Sequence, residues 1–223
     1  MSKGLIVVIC FLLPLLALCL LMKKKRSVWV LFIAGMLAFF IAQIILRLPL
    51  LQLLGRSLSF NMFAQLHPVV YVLFLAVSAG VFEEVARAIG MKLLRKRATT
   101  IWDALAFGFG HGGIEAAILV GFPLLHMDVS LEHVWIACVE RMIAISVHVA
   151  LSLIVWWGIM HSKAVFLGIA VLLHAMLDSF VIIPVSPWGL EACLLFYAAG
   201  LWLLTYRLII RKRRRDETYT KGT

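Results

Sequence analysis

The sequence predicts an all-α, polytopic membrane helix bundle of about seven transmembrane helices, and three features carry that expectation. Of its 223 residues, 64% are hydrophobic and 14% charged, with a mean hydropathy of +1.05, whereas a soluble domain is near half apolar and a quarter charged. The apolar residues gather into long runs, each able to cross a bilayer that needs about 20 residues per helix. Seven such helices use roughly 140 residues. The remainder suffices for loops and two short tails but for no separate soluble domain, so residues 1–223 read as a single integral membrane domain.

The first run, Gly4 to Met22, lacks a small-residue cleavage site and is followed at once by Lys23, Lys24, Lys25 and Arg26. It therefore reads as a retained anchor rather than a signal peptide. Six more runs follow: Val28 to Leu46, Pro68 to Met91, Ile101 to Leu125, His133 to Met160, Ala164 to Ile183 and Trp188 to Ile210. Between the second and third, Arg47 to Leu66 is weakly amphipathic and is expected to lie along the surface. An acidic loop carries Asp128 and Glu132, and a Pro184 to Trp188 turn precedes the last run. Four cysteines, Cys10, Cys19, Cys138 and Cys193, lie inside apolar runs without metal-site spacing and read as packing residues.

The formal net charge of +10 is not a nucleic-acid signal here, because the basic residues sit in short clusters beside apolar runs. Lys23 to Arg26, Lys92, Arg95, Lys96, Arg97, Lys163, Arg211 to Arg215 and Lys221 fall on one side of the seven spans, and only Lys3, Arg47 and Arg56 on the other, a bias of fifteen to three. The positive-inside rule then puts the N-terminus outside and the C-terminus in the cytoplasm. The expected location is a plasma membrane, bacterial in type.

Ionisable side chains inside a bilayer are costly and usually face a cavity or a bundle interior. The third span carries Glu83, Glu84 and Arg87, the fourth His111 and Glu115, the fifth Glu140, Arg141 and His148, and the sixth His174 and Asp178. The other three runs, 4–22, 28–46 and 188–210, have almost none and are expected to be peripheral, around core site helices at about 68–183. Glu83 and Arg87, His111 and Glu115, His148 and Ser152, and His174 and Asp178 are all spaced to share a helix face. At about 1.5 Å per residue, Glu83 lies roughly 12 Å from the cytoplasmic end, His111 and His174 roughly 15 Å and His148 roughly 18 Å. Four helices of alternating direction thus bring their polar groups to one level.

A carboxylate among imidazoles activates water either as a general base or by holding zinc with an open position. Both routes lead to hydrolysis. His111, His148 and His174 with Glu83 form a candidate zinc set, and a metal-free glutamate and histidine mechanism is the alternative. Arg87 is placed to neutralise one of the two adjacent glutamates and leave the other free to take a proton. Gly108, Gly110, Gly112 and Gly113 around His111 allow close helix approach.

The run Glu83-Glu84-Val85-Ala86-Arg87, the FxxxH element Phe107 to His111 and the HxxxD element His174 to Asp178 resemble the ordered motifs of the CPBP intramembrane proteases. That superfamily includes type II CAAX prenyl endopeptidases, PrsW-like proteases and the APH subunit of gamma-secretase. Within it, Gly110 to Glu115 with Arg141 and His148 look most like the YhfC group of intramembrane metalloproteases. The resemblance covers about Pro68 to Ile183. It implies that Glu83 activates water together with His111, and that His174 and Asp178 steady an oxyanion or complete the polar site. It also implies supporting roles for Glu84, Arg87, Glu115, Arg141 and His148. Two departures matter: Glu84 and Arg87 are separated by two residues where CAAX proteases have three, and Asp178 replaces an asparagine. An ionised aspartate donates no hydrogen bond, so Asp178 is protonated, orients His174 or binds metal.

The function expected is an intramembrane endopeptidase, a hydrolase cutting a membrane-protein or lipid-proximal peptide near the cytoplasmic half of the bilayer. Two alternatives stand beside it: a non-catalytic scaffold of the APH type, and a proton- or ion-coupled transporter, since Glu/His chains also relay protons. No inverted repeat or matching pair of broken helices favours the transporter. CAAX specificity does not transfer, because no other sign of a prenyl site is present.

Overall fold

The computed structural model describes residues 2–210. The basic tail Arg211 to Arg215 with Lys221 lies outside the described residues. These are helical nearly throughout, without a strand, and contain seven helices long and apolar enough to cross a membrane. The spans are Lys3–Met22, Val28–Leu54, Pro68–Leu93, Ile101–His126, Leu131–Met160, Val165–Ile182 and Pro187–Ile209. Large apolar side chains such as Leu16, Leu20, Leu37, Leu172 and Phe196 are exposed on their outer faces, as lipid contact requires.

The second span differs from the expectation. It does not stop at Leu46: wide π turns over Phe40–Arg47 carry it on to Leu54. Pro49 causes no break because it sits where the π turns hand over to the α-helical segment Leu48–Leu54, and such local π adjustments let a membrane helix accommodate a proline. The anticipated surface stretch Arg47 to Leu66 is therefore split. Its first part belongs to the second span, and only Leu58–Leu66 forms a separate short helix.

Nor is the second span peripheral. A Cβ at Gly35 would lie 2.1 Å from the Phe107 carbonyl oxygen, and one at Gly110 would lie 2.0 Å from that of Phe32. The second and fourth helices thus touch backbone to backbone at two reciprocal glycines, and the first leans Pro14 on Gly113. On the far side of the fourth span, Gly108 meets the fifth, where a Cβ would come 2.5 Å from Val149 Cα. An apolar run reveals nothing about which of its faces meets protein and which meets lipid, which is why this packing was not foreseen.

The fifth span is the centre of the molecule. From Val147 to Trp157 every residue is buried, with the fourth span on one side and the sixth and seventh on others. Tryptophans tie it near one end and at its midpoint: Trp156 Nε1 donates to the Ala98 carbonyl at 2.7 Å, and Trp202 Nε1 of the seventh span donates to Ser146 Oγ at 2.7 Å. At the basic end of the bundle, Asp103 Oδ2 accepts from the Thr100 amide at 2.8 Å and from Lys25 Nζ at 2.6 Å. The lysine cluster after the first span is thereby pinned to the start of the fourth.

Candidate active site

Glu83, Glu84 and Arg87 occupy consecutive turns of the third span and are buried. Arg87 turns to Glu84: its Nε and Nη2 donate to the two carboxylate oxygens at 2.9 and 3.1 Å. Its remaining donors cross to the fifth span, reaching the His148 carbonyl at 3.0 Å, Ser152 Oγ, and His148 Nδ1 at 3.0 Å. The spare carboxylate is Glu83, matching the division of labour read from the sequence.

Glu83 is reached from three other helices. His111 Nε2 of the fourth span lies 2.9 Å from Oε2, and His174 Nε2 of the sixth lies 3.8 Å from the same oxygen. On the other side, Gln43 Nε2 of the second span donates to Oε1. Gln43 is held in turn by Arg47, whose Nη1 donates to its amide oxygen at 3.0 Å. Arg47 also donates to Ser78 Oγ at 3.0 Å and to the Leu75 carbonyl at 2.7 Å. Sequence reasoning missed both residues, placing Arg47 at the start of an amphipathic surface stretch. Their spacing of one helical turn was the available signal.

Hydrogen-bond logic assigns the tautomers. Arg87 can only donate, so His148 Nδ1 accepts and its neutral ring carries the proton on Nε2, which lies 2.5 Å from Glu115 Oε2. His174 Nδ1 lies 2.8 Å from Glu84 Oε1. Because Arg87 keeps Glu84 an acceptor, His174 carries its proton on Nδ1 and turns the Nε2 lone pair toward Glu83. A carboxylate that orients a histidine in this way is the usual support for a metal-ligating or basic imidazole. The rings of His111, His148 and His174 form a row, with centroids 4.9 and 5.3 Å apart. His111 Nδ1 is buried without a partner.

The expected neighbour Asp178 faces the other ring nitrogen of His174, its Oδ2 3.6 Å from Nε2, within ion-pair range but longer than a direct hydrogen bond. Glu115 Oε1 instead accepts from Arg141 Nη1 at 2.9 Å, and Arg141 also binds Glu140.

The donor chemistry fits a metal ion. Glu83, His148 and His174 each offer one ligand atom within 4.8 Å of the others, and all three are buried. His174 has its lone pair free for this purpose. His148 supplies one at Nε2 once its proton moves to Nδ1 and Arg87 yields that contact. His111, expected among the ligands, is not in this group, although its Nε2 lies 2.9 Å from Glu83 Oε2.

A family model described as YhfC intramembrane metalloprotease matches residues 9–134 and 125–186. The chain is 29% identical over 203 residues to an uncharacterized membrane protein, YhfC, of Bacillus subtilis (strain 168), covering 76% of this chain and 79% of that protein. No solved structure matches it.

Proposed function

The chain belongs to the YhfC intramembrane metalloprotease family, and on that premise we propose that it is an endopeptidase hydrolysing a peptide bond within the membrane. The observation that supports this best is the convergence on Glu83, with His111 Nε2 at 2.9 Å and His174 Nε2 at 3.8 Å from one carboxylate oxygen. A separation of 3.8 Å is too long for a direct bond and suits a water held between the two.

In this reading Glu83 Oε2 takes the proton of the attacking water, and the carboxylic acid so formed returns it to the leaving amine. Gln43, steadied by Arg47, occupies Oε1 and keeps Oε2 facing the reaction. His111 donates to Glu83 and fixes its orientation. Glu84 and Arg87 hold His174 with its lone pair inward. With that tautomer His174 donates to an oxyanion only when doubly protonated, so its role as ligand or base is the better fit. In the metal-assisted form of this reading, Glu83 and His174, with His148 as a third donor, would hold the metal that the family description implies, zinc in our proposal, and water activation would then pass from Glu83 to the metal. Such an ion polarises a carbonyl and lowers the pKa of bound water.

The positive-inside bias puts the basic end in the cytoplasm and the N-terminus outside, with the cut near the cytoplasmic half of the membrane. The wider kinship with CPBP proteases is part of the same proposal. New peptide termini compared across membrane proteomes of cells expressing wild type, Glu83→Gln or no protein, at matched levels, test it. Fragments confined to wild type are expected. Their absence would overturn the protease reading and favour a scaffold.

A further inference from the structure

A cavity of about 470 Å³ opens from the site between the fourth, fifth, sixth and seventh spans. Its inner wall contains His148 and Asp178. Beyond them it is lined by Glu115, Glu140, Arg141 and Glu191 among apolar residues. Glu140 lies nine residues after the start of the fifth span and Glu191 four after the start of the seventh. The cavity therefore runs from His148 and Asp178 toward the end of the bundle opposite the basic clusters.

Its charges do not balance. Four carboxylates face one guanidinium, and Arg141 is already shared by Glu115 and Glu140. Glu191 is 6% exposed, its Oε2 is buried without a hydrogen-bond partner, and no cation lies within ion-pair distance of it among the described residues. A buried carboxylate left alone is costly, and one inside a cavity is completed by whatever occupies the cavity. The volume exceeds what a bare ion needs and falls in the range of ligand pockets, roughly 300–1,000 Å³. A long cationic side chain, with its alkyl stem on the apolar wall and its head at Glu191, suits both the space and the charge.

We propose that this cavity is a specificity subsite that seats a lysine or arginine side chain of the peptide substrate, with Glu191 as the charge it meets. The inference rests on the protease reading for the word substrate, and adds to it a sequence preference: a basic residue within a few positions of the cut, on the side away from the cytoplasm.

Two measurements test it separately from that reading. The first is binding to the purified full-length protein in nanodiscs at fixed salt, with N-acetylarginine methylamide and N-acetylleucine methylamide as probes. The arginine probe is expected to bind wild type and Glu191→Asp, and about tenfold more weakly to Glu191→Gln, as loss of one ion pair predicts. The leucine probe should not distinguish the three. Equal binding of the arginine probe to wild type and Glu191→Gln, both folded, overturns the subsite. The second uses the new termini produced by wild type and absent with Glu83→Gln. Lysine or arginine should be enriched beside them, and Glu191→Gln should cut those sites about tenfold less. Termini without that enrichment, or cut equally by Glu191→Gln, sink the subsite and leave the protease standing. If wild type produces no such termini, the protease reading falls, and the binding result alone decides whether the cavity takes a cation.

Discussion

Replacing Gly110 by alanine adds one methyl group at the place where the second and fourth spans touch. That Cβ would lie 2.0 Å from the Phe32 carbonyl oxygen and 2.8 Å from its carbon. Both atoms are backbone, so no rotamer change relieves the clash, and the two helices must part by about 1 Å to restore ordinary contact. Overpacking of this kind costs about 1–3 kcal/mol. The upper end is expected here, because the neighbouring contact at Gly35, where a Cβ would lie 2.1 Å from the Phe107 oxygen, is loosened as well. For a chain of this size each kcal/mol shifts the melting temperature by roughly 2–4 °C, so Gly110→Ala should melt about 6–12 °C lower in a fixed detergent. Intrinsic tryptophan fluorescence is a convenient readout. Gly168→Ala and Gly200→Ala are the controls, since nothing lies within 4 Å of a Cβ at either. A Gly110→Ala protein as stable as those controls would refute the close-packed interface.

Three other outcomes are expected. Arg87→Gln strands Glu84 in the interior and should cost about 3–5 kcal/mol, and Glu84→Gln with Arg87→Gln should recover part of the loss; a single variant as stable as wild type in thermal unfolding would show that the pair is not buried together. Gln43→Leu removes the donor to Glu83 Oε1 and should cut the yield of wild-type-specific termini about tenfold or more, with a stability loss of about 1–3 kcal/mol, whereas unchanged termini would remove the residue from the site. Elemental analysis of purified protein should find a divalent transition metal that Glu83→Gln and His174→Ala lose and His111→Ala keeps; equal loss in all three would return His111 to the ligand set, and no metal in wild type would leave the metal-free mechanism.

The seven spans and the gathering of Glu83, His111, His148 and His174 were legible because hydropathy and helical spacing are properties of single helices. What connects helices was less so. The i,i+4 rule places Asp178 beside His174, at 3.6 Å from Nε2, yet the short bond, to Nδ1, comes from Glu84, 90 residues away in sequence. No one-dimensional spacing encodes which of two carboxylates a ring meets across an interface. Gln43 escaped notice because a lone amide in an apolar run is unremarkable in composition. Arg47 was assigned to an amphipathic surface stretch because the span was ended at Leu46, the residue before the charge. Glu191 was passed over as one carboxylate in a run whose only other charged residue is Arg207, and only its placement beside the fifth span reveals an unmatched charge.

The relay from Arg47 through Gln43 to Glu83 also bears on how the chain is made. Arg47 bonds residues 28 and 31 positions downstream, and Gln43 bonds one 40 positions downstream. At about 5–20 residues per second, a ribosome needs roughly two to eight seconds to supply all the missing partners. Through that interval the newly inserted second helix holds a guanidinium in lipid with only the neighbouring amide for company, near enough to the span's end to reach headgroups. The third helix supplies Ser78 and the Leu75 carbonyl to that arginine, so the pair of side chains that braces Glu83 is also one that needs the third helix to complete its hydrogen bonds.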